Sequence, residues 1–530
     1  MVKNLLEIQD NFDVICIGSG MGSLTTASLL AQFANKKVLI LEKHFQPGGY
    51  THEFQRKQGK FHWDVGIHYV GDMQEGGFCK TLMDKITRKK VKWNKMPEPF
   101  EKFIYPTRTF ELYGDEEKFY SDLVTKFPEE QVPIKKYFKD IKKLSSIFGK
   151  SLLMKSSSPS LNSFSDILGQ EIYTTKDYMD FYFKNPELKS ILVSQWGDYG
   201  LPPSKSSIAT HASLVTHYLK GGYYPVGGAG RIFEAIEPII EEKGGIVLSS
   251  TEVVEILFDS NKAIGVKARS LRGEKQEKNF YAPTIVSGIG AYLTYTKLIP
   301  SSINVPFRST LEKFYIQEKM PSSVCLYIGF SESPSKLGVK GENYWIFSSY
   351  DHDEIFTKRN SWLYSQTEIP CLYLSFPSLK DPLAKNHTAE AITFVDYSEF
   401  EKWKNEPWKK RGEEYSLFKE KISQKIFSVL EQHFSGFREI VEYYELSTPI
   451  TNEHFTSHVD GAIYGLACTP QRYEKEKCPW FEAKSVFENL YLTGVDAGGS
   501  PGIAGAMVGG LACASAILGD RNFLKQILKG

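Results

Sequence analysis

At 530 residues, with 41% hydrophobic and 24% charged residues, the chain has a globular composition and is too long for one simple core, so two or more domains are expected. Its formal net charge of +1 gives no overall field that would favour nucleic acid as a partner. The seven cysteines form no C-x-x-C pair, which argues against a disulfide scaffold and against a structural metal site.

The first predicted elements are a strand, a glycine turn, a helix and a second strand that ends in a carboxylate. Gly18 lets the chain turn sharply, and Gly20 lets a pyrophosphate approach the backbone. Gly22 and Ser23 follow, with Ser23 in place of the third glycine of G-x-G-x-x-G, and both are small enough for close packing of helix on strand. Glu42 stands 24 residues after Gly18, which is typical of a dinucleotide-binding unit whose acid binds the ribose.

The segment after Glu42 indicates which nucleotide is bound. A glycine doublet, Gly48-Gly49, follows Lys43, and this stretch resembles that of flavoproteins in the amine oxidase and phytoene desaturase superfamily. Residues 61–71 contain Asp64-Val65-Gly66-Ile67-His68, which resembles the D-x-G-x-H segment of the retinol saturase and carotenoid isomerase branch of that superfamily. The resemblance implies FAD as the cofactor.

Apolar residues at helical spacing predict a helix over residues 134–153. Its lysines lie largely off the apolar stripe: Lys135, Lys136, Lys139, Lys142 and Lys143. The helix is either a surface helix packed on its own domain or a basic amphipathic helix that lies on an anionic membrane. Both interpretations stay open from the sequence.

Residues 197–228 run from a turn into a predicted helix and then into Gly221-Gly222-Tyr223-Tyr224-Pro225. This stretch also resembles the retinol saturase branch. His217, Tyr218 and Tyr223 could face a ligand there. Residues of these types more often lie in the core or on a helix surface. Residues 462–473 resemble the family segment Y-G-L-x-x-T-P-x-R.

The pattern of residues 231–290 predicts a helix that ends at Gly244-Gly245. Strands are predicted after it at 246–248, 253–257, 263–268 and 280–285. The resemblance implies that the backbone at Val253 binds adenine. Strands are also predicted at 323–330 and 369–376, and a charged helix at 411–434.

The last predicted strand ends in Gly494 and Asp496, and a glycine-rich turn then opens a helix at Gly502 and Ile503. The resemblance implies that Asp496 binds the ribityl or pyrophosphate part of FAD, and that the helix N-terminus stabilises charge on the flavin ring. The uncharged run 497–519 approaches the length of a membrane span, but its glycines and alanines favour a turn and a buried helix.

The expected fold class is α/β, with a Rossmann-type, amine-oxidase-like FAD-binding domain and an inserted α+β substrate domain. We expect residues 1–75, 221–292 and 486–530 to form the FAD-binding domain, and residues 76–220 and 293–485 the substrate domain. No apolar segment precedes the first strand, so we expect no signal peptide and no transmembrane span. The cysteine pattern favours a cytoplasmic protein, either free or peripheral on a membrane's cytosolic face.

The resemblance implies a flavoenzyme with non-covalent FAD that acts on a carbon–carbon double bond of a polyene or isoprenoid lipid, with NADPH or NADH as a candidate electron donor. A retinol saturase-like reductase is the first interpretation. A desaturase or isomerase on the same scaffold, and a non-catalytic flavin- or lipid-binding protein, are the alternatives. The candidates for catalysis are His68, His217, Tyr218 and Tyr223. Those for cofactor binding are Gly18, Ser19, Gly20, Gly22, Ser23, Glu42, Lys43, Gly48, Gly49, His68, Val253, Gly494, Asp496, Gly502 and Ile503.

Overall fold

The computed structural model describes residues 5–153, 168–169, 171–273, 275–474, 477–519 and 521–528. Its strands, β1 to β19 in chain order, are Val14–Ile17, Val38–Leu41, Glu53–Arg56, Phe61–Asp64, Trp93–Lys95, Glu101–Ile104, Thr109–Leu112, Tyr223–Pro225, Ile246–Leu248, Thr251–Asp259, Lys262–Ser270, Glu277–Tyr281, Ile285–Ser287, Ser322–Phe330, Asn343–Phe347, Cys371–Ser375, His387–Val395, Val441–Ser447 and Leu490–Leu492.

The α-helices of these ranges, α1 to α16 in chain order, are Met21–Ala34, Phe78–Thr87, Glu116–Lys126, Gln131–Leu153, Thr175–Tyr182, Pro186–Leu192, Ile208–Tyr218, Gly230–Glu241, Ala291–Leu293, Arg308–Gln317, His352–Thr357, Pro377–Lys380, Gly412–His433, Pro449–Thr456, Gly502–Leu518 and Arg521–Leu528.

A parallel sheet of five strands, in the order β19-β13-β1-β2-β9, forms the first layer of the molecule. Every residue of β1 and β2 is buried, as expected for a parallel sheet that is covered on both faces. Its strands come from all three parts of the chain that the sequence assigns to the FAD-binding domain. The domain boundaries themselves stay a prediction, and α2, which follows residue 75, packs into the same apolar core as α1.

Small residues let α15 pack directly on α1 and on the strand ends. A Cβ atom on Gly22 would lie 2.5 Å from Gly494 Cα, and one on Gly510 would lie 2.6 Å from Thr25 Cβ. The Thr26 hydroxyl donates to the Gly510 carbonyl at 3.1 Å. The glycines of α15 therefore serve close helix packing. Within the described residues, no helix combines the length and the apolar character needed to cross a bilayer.

An antiparallel sheet of three strands, β10-β11-β12, is attached to the parallel sheet. The predicted strand 280–285 is divided in two, because β12 ends at Tyr281 and β13 begins at Ile285. Pro283 lies between them and has no backbone N–H to donate to a ladder. The chain uses this break to leave the antiparallel sheet and return to the parallel one.

A second large sheet has seven strands in the order β18-β14-β17-β16-β15-β6-β7. Alternate side chains of its strands serve two different environments, because neighbouring residues of a strand point to opposite faces. One face packs against α13 through Val324, Leu326, Ile346, Leu372 and Leu374. The opposite face carries Cys325, Tyr327, Trp345, Tyr373 and Phe394. That second face forms one wall of the cavity described below.

The amphipathic helix predicted at 134–153 is α4, and its apolar stripe is buried in its own domain. Ile134, Tyr137, Ile141, Leu144 and Phe148 belong to the same core cluster as residues of α7. Four of the five lysines are exposed: Lys135, Lys139, Lys142 and Lys143. The stripe is thus occupied by protein, which leaves the lysine face as the part of this helix that is open to other molecules.

Candidate active site

A cavity of about 450 Å³ lies between the parallel sheet and the seven-stranded sheet. At one end, here called the nucleotide end, it is lined by the turn after β1, by Glu42 and by Val253. At the other, here called the aromatic end, it is lined by Tyr327, Trp345, Tyr373, Phe394 and Tyr464, together with Asp198. Elements from both halves of the molecule therefore enclose one continuous space.

Glycines surround the nucleotide end. A Cβ atom added to Gly20, Gly494 or Gly502 would meet no atom within 4 Å, so the backbone there borders open space. Gly20 immediately precedes α1, and no side chain caps this helix. The first backbone N–H groups of α1 are therefore available to bind an anion. Because Gly20 has no side chain, the anion can approach them closely.

Glu42 is fixed at the end of β2 by three hydrogen bonds. Its Oε2 atom accepts from the backbone N–H of Ser19 at 2.8 Å and from the Ser19 hydroxyl at 2.6 Å, and its Oε1 atom accepts from the His44 N–H at 2.7 Å. The carboxylate lines the cavity, where its remaining lone pairs can accept from a ribose. Lys43 also lines the cavity, with its Nζ atom 3.2 Å from Glu252 Oε1.

The glycine doublet supports the turn at Ser19. The Gly48 N–H donates to the Ser19 hydroxyl at 2.9 Å, and a Cβ atom on Gly49 would lie 2.8 Å from Gly20 Cα. Both glycines have positive φ, at 120° and 58°. The doublet thus lets a second loop lie directly against the turn after β1. Gly49 lines the cavity and Gly48 stands behind it.

Asp496 holds three loops together behind the cavity. Its Oδ2 atom accepts from the Ala291 N–H at 3.0 Å and its Oδ1 atom from the Leu466 N–H at 2.7 Å. Arg472, which is almost fully buried, places Nη2 3.9 Å from Asp496 Oδ1. The carboxylate is 4% exposed, so in this structure it organises the wall rather than lining it. Gly494, Gly502 and Ile503 line the cavity directly.

The structure brings most of the predicted cofactor-binding residues together around one space. Twelve of them line the cavity: Gly18, Ser19, Gly20, Gly22, Glu42, Lys43, Gly49, His68, Val253, Gly494, Gly502 and Ile503. Ser23 is fully buried against Gly288 instead. The open glycine cradle, the helix N-terminus and the fixed carboxylate together fit the pyrophosphate and ribose of a dinucleotide such as FAD.

His68 lies in the cavity wall, with its ring centroid 5.4 Å from that of Tyr373 at the aromatic end. Its Nδ1 atom is 2.7 Å from Oε2 of Glu390, which is fully buried. Its carbonyl oxygen accepts from the ammonium of Lys380 at 2.8 Å. Burial lowers the pKa of Lys380 to about 7, although the surrounding carboxylates act in the opposite direction. Of the four predicted catalytic candidates, His68 is the one that lines the cavity.

The other three catalytic candidates do not line the cavity. His217 Nε2 accepts from the Gly71 N–H at 2.8 Å, and burial lowers the pKa of this histidine to about 4, so it is a neutral acceptor that fixes a loop. Tyr218 stacks on Tyr69 with ring centroids 4.4 Å apart. Tyr223 pairs its backbone with Val70. All three roles lie in the support of the cavity wall.

Sequence reasoning did not identify the polar groups of the aromatic end. Asp198 accepts from the Tyr69 hydroxyl at 2.6 Å. Its pKa is raised well above the ordinary value, mainly by burial and secondly by the negative charge of the nearby Glu101. The buried Tyr373 hydroxyl has no hydrogen-bond partner among the described residues. The sequence predicts a turn at the start of residues 197–228, but no spacing pattern marks Asp198 as a cavity residue.

Comparison with known proteins agrees with this architecture. A family model described as an NAD(P)-binding Rossmann-like domain matches residues 16–86. Cyclohexylamine oxidase from Brevibacterium oxydans, a solved structure, superposes with a TM-score of 0.59 over 98% of this chain and 99% of its own, at 14% identity. The expected fold class, with its Rossmann-type, amine-oxidase-like domain, is confirmed.

Two curated relatives match at nearly full length. All-trans-retinol 13,14-reductase from Homo sapiens is 31% identical over 98% of this chain and 88% of that protein. Prolycopene isomerase 2, chloroplastic, from an Oncidium hybrid cultivar is 25% identical over 98% of this chain and 86% of that protein. The resemblance inferred from residues 61–71 and 197–228 is confirmed.

Proposed function

The chain belongs to the all-trans-retinol 13,14-reductase family, and on that premise we propose that it is a flavin-dependent reductase of a carbon–carbon double bond in an apolar polyene. The observation that carries this proposal is the single cavity with two different ends. One end offers a glycine cradle and a ribose-binding carboxylate, and the other offers aromatic and aliphatic walls of the kind that suit a conjugated hydrocarbon chain.

FAD is the cofactor that we propose for the nucleotide end. When bound there, it would supply hydride-transfer chemistry. The chain's own residues bind and orient it: the start of α1 and Gly20 hold phosphate, Glu42 holds ribose, and the N-terminus of α15 at Gly502 places positive partial charge beside the cavity. Asp496 contributes by holding the loops of this wall in place.

At the aromatic end, the residues orient the substrate and exclude water. Trp345 packs against Gly197, and Tyr464 donates to the Gly197 carbonyl at 2.8 Å, so the turn that carries Asp198 is held against the cavity. Cys325, Tyr327 and Phe394 project from the sheet into the same space. A polyene enclosed by these side chains would present its double bonds in a largely dry environment.

An isomerase or desaturase remains the second candidate, because prolycopene isomerase is also a full-length relative. The net gain of hydrogen separates the reactions. We would incubate the purified protein anaerobically with all-trans-retinol and either NADPH or NADH. Mass spectrometry of the extracted lipids would then give the molecular mass of the product. The proposal predicts a gain of two hydrogens. A loss of two would support a desaturase, an altered geometry at unchanged mass an isomerase, and no change a binding protein.

We also propose a peripheral contact between α4 and anionic membranes, since an apolar polyene dissolves in a bilayer rather than in water. Lys135, Lys139, Lys142 and Lys143 are exposed, whereas the apolar stripe is packed inside the domain. Such a contact would rest on charge alone, at about 1 kcal/mol for each lysine near an anionic surface. It would not involve insertion of this helix.

A further inference from the structure

We propose that Asp198 is the proton donor of the reaction, the residue that delivers a proton to the alkene carbon next to the one that receives hydride. The inference rests on the proposed function and adds to it a catalytic residue. It starts from the fact that Asp198 is a carboxyl group in the wall of the aromatic end, within the space that a polyene would fill.

The hydrogen bonds around Asp198 leave one of its oxygens available. The Tyr69 hydroxyl donates to Oδ2 at 2.6 Å. Asp198 is only partly buried and lines the cavity, so its other oxygen, Oδ1, is available on the cavity side. A protonated carboxyl can therefore accept from Tyr69 at one oxygen and direct its O–H at a substrate with the other. Tyr69 itself is fixed, because its ring stacks on Tyr218.

A second carboxyl, that of the fully buried Glu101, favours the protonated form of Asp198. Glu101 is fully buried, and it accepts from Gln195 Nε2 at 2.6 Å and from Trp345 Nε1 at 2.9 Å. Two carboxyl groups in one dry region repel each other when both are ionised, so at least one tends to hold a proton. Consistent with this, burial raises the pKa of Glu101 to about 7, and burial together with Glu101 raises the pKa of Asp198.

Neighbouring groups are less suited to the role. The phenols of Tyr69, Tyr218, Tyr373 and Tyr464 all have pKa values raised by burial and by nearby carboxyl groups, which makes them weaker acids. His68 also lines the cavity, but its Nδ1 faces Glu390. Asp198 lies in the cavity wall, and its environment favours the protonated form of its carboxyl group. A carboxyl group is also a stronger acid than these phenols.

The step balances without any further reagent. Reduced flavin, when bound, would supply the hydride for a C–H bond at one alkene carbon, and the π pair of the double bond would form a second C–H bond with the Asp198 proton. The O–H bond of Asp198 breaks and leaves a carboxylate. The substrate is reduced by two electrons and the flavin is oxidised by two. Asp198 recovers its proton from water once the product leaves the cavity.

The first test is Asp198→Asn, which keeps the shape and still accepts from Tyr69. We expect unchanged flavin content and unchanged retinol binding, with product formation slowed by about 100-fold or more, as for loss of a general acid. Asp140→Asn is the matched control, because Asp140 is buried and accepts from the Tyr178 hydroxyl at 2.8 Å, but outside the cavity. Turnover by Asp198→Asn at the wild-type rate would overturn the proposal.

The second test needs neither substrate nor turnover. Infrared spectra of the wild type at neutral pH should contain the C=O band of a protonated carboxyl that shifts in heavy water and is lost in Asp198→Asn. A Glu101→Gln variant identifies the contribution of the second carboxyl. If no protonated-carboxyl band depends on residue 198, the proposal fails. If the band is present but retinol is not reduced by the wild type, the proposed function fails instead.

Tyr69→Phe gives a third, independent readout. The Tyr69 hydrogen bond stabilises the carboxylate and so lowers the Asp198 pKa against the effect of burial. Removing it should move the alkaline limb of the pH–rate profile to higher pH. The groups around Asp198 that could also titrate are Glu101, Tyr69, Tyr199, Tyr218, Tyr373 and Tyr464. An unchanged limb, or one that moves to lower pH, contradicts the proposal.

Discussion

The two ends of the cavity are built in different ways. The nucleotide end is made largely of backbone and glycines, with the polar side chains of Glu42, Lys43 and Glu252, and most of it comes from two short stretches, 18–22 and 42–49. The aromatic end is made of side chains that are far apart in the sequence, such as Asp198, Trp345 and Tyr464. Local geometry therefore determines nucleotide binding, whereas the arrangement of several sheets and loops determines what the other end can bind.

The largest expected effect is at the nucleotide end. Gly20→Leu should abolish flavin binding, because its side chain would enter the open space beside the start of α1. The measurement is the flavin released on denaturation of the purified variant. Gly149→Leu is the matched control, since a Cβ there also meets no atom within 4 Å but lies in α4, away from the cavity. A yellow Gly20→Leu protein would contradict this account of the cradle.

A second prediction concerns a residue that the sequence suggested for catalysis and the structure places in the supporting wall. His217 has its pKa lowered to about 4, below the ordinary 6.5, so the unfolded state binds its proton first. The neutral His217 imidazole therefore contributes stability to the fold that is fully present above about pH 6.5 and is lost as the pH falls towards 4. The loss in the free energy of unfolding amounts to at most about 3 kcal/mol, at about 1.4 kcal/mol per pH unit.

Urea unfolding at several pH values measures this loss. The variant His217→Asn should be less stable than the wild type at neutral pH, and its stability should fall less steeply between pH 6.5 and 4. Equal slopes for the two proteins would show that this histidine does not remain neutral in the folded state.

Glu42→Ala should weaken flavin binding without abolishing it. The substitution removes the acceptor for ribose and also leaves the Ser19 and His44 N–H groups without their partner. A loss of about 1–3 kcal/mol, on the order of 10- to 100-fold in Kd, is expected for charge-assisted hydrogen bonds. Fluorescence titration of the apoprotein with FAD measures it. An unchanged Kd would remove the ribose role from this residue.

At the aromatic end, Tyr373→Phe should leave flavin binding unchanged. The Tyr373 hydroxyl is buried without a partner among the described residues, so its removal should leave the free energy of unfolding equal or raise it by about 1 kcal/mol. Flavin content and urea unfolding are the measurements. A clear loss of stability would indicate that the hydroxyl is satisfied in solution, for example by water.

The smallest expected effect is that of the lysine face. Changing Lys135, Lys139, Lys142 and Lys143 to Glu should reduce co-sedimentation with anionic vesicles, and raised salt should do the same to the wild type, because the attraction is screened. Changing Lys402, Lys404, Lys409 and Lys410 to Glu is a control of equal charge on another exposed surface. If both four-site variants bind equally, α4 makes no specific contact.

These contrasts explain what could be predicted from the sequence. The strand, turn and helix around Gly18 follow from spacing, because a βαβ unit is local. Helices such as α4 and α13 were predicted within a few residues for the same reason. Asp198 could not be identified, because its position in the cavity depends on contacts with Tyr69, Trp345 and Tyr464, which are distant in the chain. His217 was suggested by motif resemblance, but that resemblance did not distinguish a wall residue from a lining residue.

The most direct test of a single cavity that serves both flavin and polyene is an anaerobic single turnover. The flavin of the purified protein would be reduced by light and the protein mixed with all-trans-retinol in the dark. We predict that flavin absorbance returns as a dihydro product forms, with one product molecule for each flavin. Flavin that stays reduced, or absorbance that returns without a product two hydrogens heavier, would contradict the account.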